Sequence, residues 1–151
     1  MPFYQTLKQI EFTVNNFKFP SNWDGWVSTL NGAELSASNT SQKVWLPLDF
    51  LKIGDEIVSY KIVGDMTEAA ALTLDCKLVK INKADPVTTT DIAGGGITQV
   101  TGPSGNIDSE SILSAVETVA TDEQYTLEID GTTGVGDSFI LVGAEVKVNR
   151  K

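Results

Sequence analysis

Four segments alternate apolar and polar residues with a period of two, and that period confines them to half-buried β-strands. Leu72 to Ile81 is the clearest, with Leu72, Leu74, Cys76 and Leu78 inward and Thr73, Asp75 and Lys77 outward. Tyr125, Leu127 and Ile129 alternate with Thr126, Glu128 and Asp130. In Glu56 to Gly64 the same rule sets Val58, Tyr60 and Ile62 on one face, with Ile57 and Val63 near the other. In the last segment it groups Ile140, Val142, Ala144, Val146 and Val148 against Leu141, Gly143, Glu145, Lys147 and Asn149. One apolar face per strand means antiparallel sheets with one wet face each.

The intervening segments read as turns. Gly64-Asp65-Met66-Thr67-Glu68 separates two strands in hairpin fashion, and Asp130 to Asp137 separates the last two. Ala93-Gly94-Gly95-Gly96 reads as a flexible bend before a short strand from Ile97 to Thr101. Lys43-Val44-Trp45-Leu46-Pro47-Leu48 is extended. Pro47, which lacks a ladder donor, assigns that run to an edge or a strand end. Ile10, Phe12 and Val14 alternate near the start, Asn22 to Trp26 is a tight turn, and Ser36 to Ser41 is exposed loop. Asp108 to Val116 offers the helical possibility, a turn at most, with Asp108 as cap and Ile112, Leu113 and Val116 on one face.

With 151 residues the chain suits one domain, 1–151, whose core needs no covalent staple. Residues 1–42 are less regular and suit an N-terminal arm or edge strands, while 43–151 form the core. Met1 to Lys8 shows no charged region followed by an apolar run, so no signal peptide is expected. No stretch approaches the roughly 20 apolar residues of a membrane span. Net charge is −9, and residues 84–151 carry eleven acidic against three basic side chains. Nucleic acid is therefore not an expected partner.

The chain has no histidine and one cysteine, Cys76. That excludes an internal disulfide, zinc sites with their usual ligands, and Ser-His-Asp or Cys-His catalysis. Cys76 alternates with leucines and reads as a small buried residue. A glycosidase needs two carboxylates across a cleft, and none of the twenty acidic residues sits in a recognisable local motif. Asn106 to Glu110 and Asp122-Glu123 offer oxygen ligands of the kind calcium takes, but their spacing is not that of an EF-hand loop. Turn and cap roles explain them, so no metal and no cofactor is assigned. Gly94-Gly95-Gly96 lacks the lysine and Ser/Thr of a phosphate loop. Trp23, Trp26 and Trp45 are core or subunit-interface candidates, with an exposed platform for sugar as the alternative.

The order of these segments is similar to that of small jelly-roll proteins encoded among the structural genes of tailed bacteriophages. The resemblance covers residues 43–149. It rests on Val44-Trp45-Leu46-Pro47-Leu48, on Ile53-Gly54-Asp55-Glu56-Ile57 leading to Gly64, and on Leu72 to Leu78. Glu117-Thr118-Val119-Ala120-Thr121-Asp122-Glu123-Gln124-Tyr125-Thr126-Leu127-Glu128-Ile129 and the terminal strand ending at Val148 complete it. In that pattern these last two segments pair. The resemblance implies a non-enzymatic virion protein, made in the host cytoplasm, that decorates, cements or extends a capsid. Capsid or other virion proteins would be its partners, within a homo-oligomer for which a trimer is favoured. It transfers no functional residue.

The expected fold is all-β, a two-sheet antiparallel jelly-roll sandwich with little or no helix. Phe3, Tyr4, Phe17, Phe19, Trp23 and Trp26 are the interface candidates, because one core of this size need not absorb them all. Trp23, Trp26 and Trp45 are the candidates for a carbohydrate-binding or receptor-binding module.

Overall fold

The structure, a computed structural model, describes residues 7–20, 25–97 and 104–151. Among those residues there is no helix. The strands are β1 (Lys8–Val14), β2 (Val27–Thr29), β3 (Gly32–Leu35), β4 (Asn39–Pro47), β5 (Glu56–Thr67), β6 (Thr73–Asn82), β7 (Thr88–Ile97), β8 (Gly105–Thr118), β9 (Glu123–Thr133) and β10 (Ser138–Arg150). One sheet runs β2-β3-β10-β5-β8, with β1 also on β10, and the other runs β4-β9-β6-β7. All pairings are antiparallel.

From β3 onward every connection crosses between the sheets except β6 to β7. The resulting orders, β3-β10-β5-β8 and β4-β9-β6-β7, are the paired Greek keys of a jelly-roll. Two expected pairings are therefore corrected. Gly64 to Glu68 is not a hairpin turn, because β5 continues to Thr67 and β6 lies in the other sheet. Likewise β9 pairs with β4 and β6 and not with β10. Alternation specifies which face of a strand is apolar and leaves its neighbours open.

The inward faces meet in a core that includes Leu46, Leu78, Leu127 and Ile129 from one sheet and Ile57, Tyr60, Phe139 and Val146 from the other. On β6 and β9 the burial follows the alternation, with Leu72, Leu74, Cys76, Leu78, Tyr125, Leu127 and Ile129 all buried. Pro47 closes β4 at the edge of its sheet, where its missing N–H breaks no ladder.

On β5 and β10 the alternation misleads, and bulges are the reason. The β5/β10 register pairs Lys147 with Ser59 but Val148 with Ile57, leaving Val58 over. A residue inserted in this way reverses the faces beyond it. Ile57 therefore joins Tyr60 and Ile62 in the core, and Val58 does not. Val142 is the second such residue, lying between the Leu141/Gly64 and Gly143/Val63 pairs. Before it Phe139 and Leu141 point inward, after it Ala144, Val146 and Val148 do, and Val142 itself is 53% exposed. Here β10 also exchanges its partner on one flank, β3 at Phe139–Leu141 for β1 at Ala144–Arg150. Gly143 permits the close approach of β1, since a Cβ there would collide with the Val14 carbonyl.

Three local expectations also change. Asp108 to Val116 lies within β8, where Ile107, Ser111 and Leu113 are buried while Ile112 and Val116 are exposed. Pairing with β5 supplies backbone partners from Asp108 to Ile112 and overrides the helical spacing, with Leu113 to Val116 left in a register irregularity before pairing resumes at Glu117. Gly94 to Gly96 lies inside β7, where Gly96 pairs with Lys77 while Gly94 and Gly95 fall in the register irregularity before Asp91 pairs with Val79. Asn39 to Ser41 already belongs to β4, leaving Ser36–Ser38 as the turn. Of the short strand expected at Ile97 to Thr101, Ile97 ends β7 and the rest lies outside the described residues.

Asp137 ties two sheet-crossing connections together. Its Oδ1 accepts from the backbone N–H of Ala69 (2.6 Å) and Ala70 (2.8 Å), and its Oδ2 from Ala71 (3.1 Å) and Gly134 (2.7 Å). Those N–H groups hold the carboxyl below its ordinary value. A carboxyl depressed in the folded state stabilises fully above its unfolded pKa, and that contribution is lost as pH falls through the folded pKa. Urea midpoints of the parent chain should therefore decline below about pH 4. Asp137→Asn should lower the midpoint at pH 7, because one acceptor oxygen becomes a donor, and should show a shallower decline in acid. An unchanged acid limb would remove Asp137 from this role.

Candidate functional site

Two surface depressions hold aromatic residues singled out in the sequence. The larger, about 600 Å³, lies on the outer face of the β4-β9-β6-β7 sheet. The register sets Trp45, Glu128, Lys77 and Gly96 in one row across the four strands. The next row is Pro47, Thr126, Val79 and Asp91. Outward positions on a sheet are usually polar, yet here Trp45 is half-buried and Val79 and Pro47 are buried. The β4 edge beside them is covered by Lys18, whose N–H donates to the Trp45 carbonyl (2.7 Å) and whose carbonyl accepts from the Trp45 N–H (3.0 Å).

Glu128 organises the cleft. The Trp45 Nε1–H donates to its Oε2 (3.2 Å), and Lys43 Nζ (3.0 Å) and Lys77 Nζ (3.5 Å) approach its Oε1. Lys77 also bonds Asp91 at 3.0 Å. Burial alone would raise the Glu128 carboxyl, but the lysine and indole donors outweigh it and hold the group below its ordinary value. It is a fixed, ionised acceptor and not a proton donor.

The smaller depression, about 400 Å³, lies where the β1–β2 connection meets the β2–β3 turn. Half-buried Phe17 and Phe19 line it with fully exposed Leu30 and with Val142, the residue the β10 bulge turns outward. Asn15, Asn16, Asn31, Ser28 and Thr29 supply the polar part of its lining.

The remaining candidates separate. Trp26 is 2% exposed in the core, its ring stacked on Phe139 at 6.1 Å and its Nε1–H donating to the Gln42 carbonyl (2.7 Å). It is neither a surface for a partner nor a platform for sugar, because its side chain spans the sheets. Phe3, Tyr4 and Trp23 lie outside the described residues. Asn106 to Glu110 runs along β8, Asp122 occupies a turn with φ of 64°, and Glu123 accepts from the Ala120 N–H (3.0 Å). Among the described residues no three His, Cys, Asp or Glu side chains are grouped to hold a metal ion.

Among the described residues, the cysteine and a convergent carboxylate pair are held in other roles. Cys76 is buried, and burial pushes its thiol up to about 12. Glu117 and Glu123 do converge, each 2.9 Å from the Tyr125 hydroxyl, but Lys80 bonds both, at 3.0 and 3.5 Å. The Ala120 N–H, with further donors, holds Glu123 below its ordinary value, and burial raises Tyr125. Tyr125 and Lys80 thus lock the two carboxylates into one polar network. Neither the row register around Trp45 nor the bulge at Val142 has a sequence motif. The legible signals were aromatic residues: Trp45 in the larger depression and Phe17 and Phe19 in the smaller one.

The strand order defines a jelly-roll, an architecture also used by viral capsid and lectin domains. No family profile matches the chain. No curated protein matches it either. Among solved structures it is similar to one described as the structure of infectious bursal disease virus, Gt strain, at 14% identity and a TM-score of 0.44. The similarity covers 93% of this chain and 32% of that one, so this chain spans about a third of that relative's length. The jelly-roll assignment itself rests on this chain's own strand order.

Proposed function

We propose that the chain is a non-enzymatic structural subunit of a virus particle, of the decoration, cement or appendage kind. In this reading it is made in the host cytoplasm, assembles as a homo-oligomer, with a trimer as the expected form, and docks on capsid or other virion proteins. Nucleic acid and membrane are not partners. The observation that carries the proposal is the depression at Phe17, Phe19, Leu30 and Val142. An apolar centre within a polar surround is how a subunit contact is built. Leu30, fully exposed on a turn, has no role in this chain's own core. Phe3, Tyr4 and Trp23 extend the proposed interface on sequence grounds, and Trp26 is withdrawn from it. The mechanism is passive: binding only the assembled form stabilises that form by mass action.

Sedimentation of the purified chain at micromolar concentration tests the reading. The expected result is an oligomer that Leu30→Asp with Val142→Asp converts to monomer at unchanged thermal stability. A parent chain that is monomeric and fails to bind virions lacking it would overturn the proposal.

A further inference from the structure

The cleft on the outer face of β4-β9-β6-β7 shares no lining residue with the depression at Phe17 and Phe19, and its lining has a definite chemistry. It contains four lysines and four carboxylates, so it is electrically balanced on a chain whose net charge is −9. Such a lining gives neither an anion nor a cation an advantage. It is also amphipathic, because Trp45, Pro47, Val79 and Ile81 lie among those charges. Its volume of about 600 Å³ falls within the roughly 300–1,000 Å³ usual for small-molecule sites.

We propose that this cleft binds an uncharged oligosaccharide, with the Trp45 indole as its apolar platform and the Lys77–Glu128 pair as its hydrogen-bonding wall. A sugar hydroxyl both donates and accepts. A wall that sets an ammonium donor 3.5 Å from a carboxylate acceptor offers both partners to one hydroxyl. The less polar face of a sugar ring packs on an indole, as other amphipathic groups do. Trp45 is held for this role before any ligand arrives, because its Nε1–H is committed to Glu128 and its backbone is bonded to Lys18 on one side and paired with Glu128 on the other. A platform already fixed loses little side-chain freedom on binding. The cleft binds without cleaving, since Glu128 is held ionised by its lysine and indole donors and is not the protonated acid that glycoside hydrolysis needs.

The test is a printed array of uncharged glycans, with sialylated and sulfated glycans as charged controls, probed with the full chain. The brightest uncharged hit is then titrated while tryptophan emission is read. The expected result is saturable binding to at least one uncharged oligosaccharide, weakened tenfold or more by Trp45→Ala. Lys77→Ala, whose side chain lies outside the core, should weaken it several-fold with an unchanged circular dichroism spectrum. Binding restricted to charged glycans, no binding across the array, or an affinity unmoved by either variant would each overturn the proposal. Sedimentation of the same samples distinguishes it from a subunit contact: loss of the oligomer in Lys77→Ala would assign the cleft to assembly and sink the sugar site. The Leu30→Asp, Val142→Asp variant should keep glycan binding, so the two proposals fail separately.

Discussion

Trp26→Ala should destabilise the chain by about 3–5 kcal/mol, the range for emptying a buried aromatic site. For a domain of about 150 residues that corresponds to a fall in Tm on the order of 10 °C. The size of the effect follows from where the indole lies. It stacks on Phe139 of β10 and packs over Gly131 of β9, so it joins the two sheets. Gly131 leaves room for it, since a Cβ there would fall 2.8 Å from Trp26 Cζ2. Gly131→Val should therefore also destabilise, through overpacking, by about 1–3 kcal/mol. Thermal melts of the two variants check both statements. If Trp26→Ala kept the parent Tm and only shifted the oligomer, the core placement would be wrong and the interface reading restored.

Arg150→Ala should cost about 3 kcal/mol, near the low end for removing one partner of a buried ion pair. The guanidinium bonds both oxygens of Asp55, at 2.8 Å from Nε and 2.6 Å from Nη2, and Nη2 also donates to the Phe50 carbonyl (3.1 Å). Asp55 is 2% exposed, so its carboxylate would be left nearly without water or a countercharge. The ring of Phe12 lies 4.9 Å from the guanidinium carbon and stacks on Phe50 at 4.2 Å, so the same substitution loosens the packing of β1. Burial alone would raise the Asp55 carboxyl. The Arg150 hydrogen bonds and the Lys52 N–H outweigh it and hold the group below its ordinary value. The stabilisation is therefore present above the unfolded pKa and lost as pH falls through the folded one. Parent and Arg150→Ala should differ most at neutral pH and converge in acid, as read by urea midpoints. Asp55→Asn in the Arg150→Ala background should recover part of the loss, since an amide needs no countercharge. A double variant less stable than Arg150→Ala would contradict that account.

Much of the sandwich was legible because burial and alternation coincide on β6 and β9. There every inward residue from Leu72 to Leu78 and from Tyr125 to Ile129 is buried. Pro47 at the close of an edge strand was legible for a different reason, the missing donor. Alternation failed on β5 and β10 because Val58 and Val142 are as strand-compatible as their neighbours. Nothing in a run of branched residues marks the one that is squeezed out as a bulge. Asp108 to Val116 carried helical spacing that β5 overrode by pairing with its first half, Asp108 to Ile112. The candidate sites were half legible. Phe17 and Phe19 stood out as interface candidates and Trp45 as a core, interface or sugar-platform candidate, whereas Leu30 and Val142 looked like ordinary strand or turn residues. Trp26, from the same aromatic cluster, went to the core because its strand-side neighbours could close over it.

What the amino-acid sequence determined by itself is the polarity of the faces of β6 and β9, the lack of any histidine, and the inward position of Cys76. These follow from residue type and a local period of two, and no distant residue is needed to read them. What only the tertiary structure decided is which strands are neighbours, where the bulges reverse a face, and which aromatics meet a surface. Those depend on contacts between residues far apart in the chain, such as Gly143 against Val14 and Trp45 against Glu128. The physical reason is that a β-strand's partners satisfy the same backbone groups whichever strand supplies them. Side-chain packing between the two sheets makes the choice.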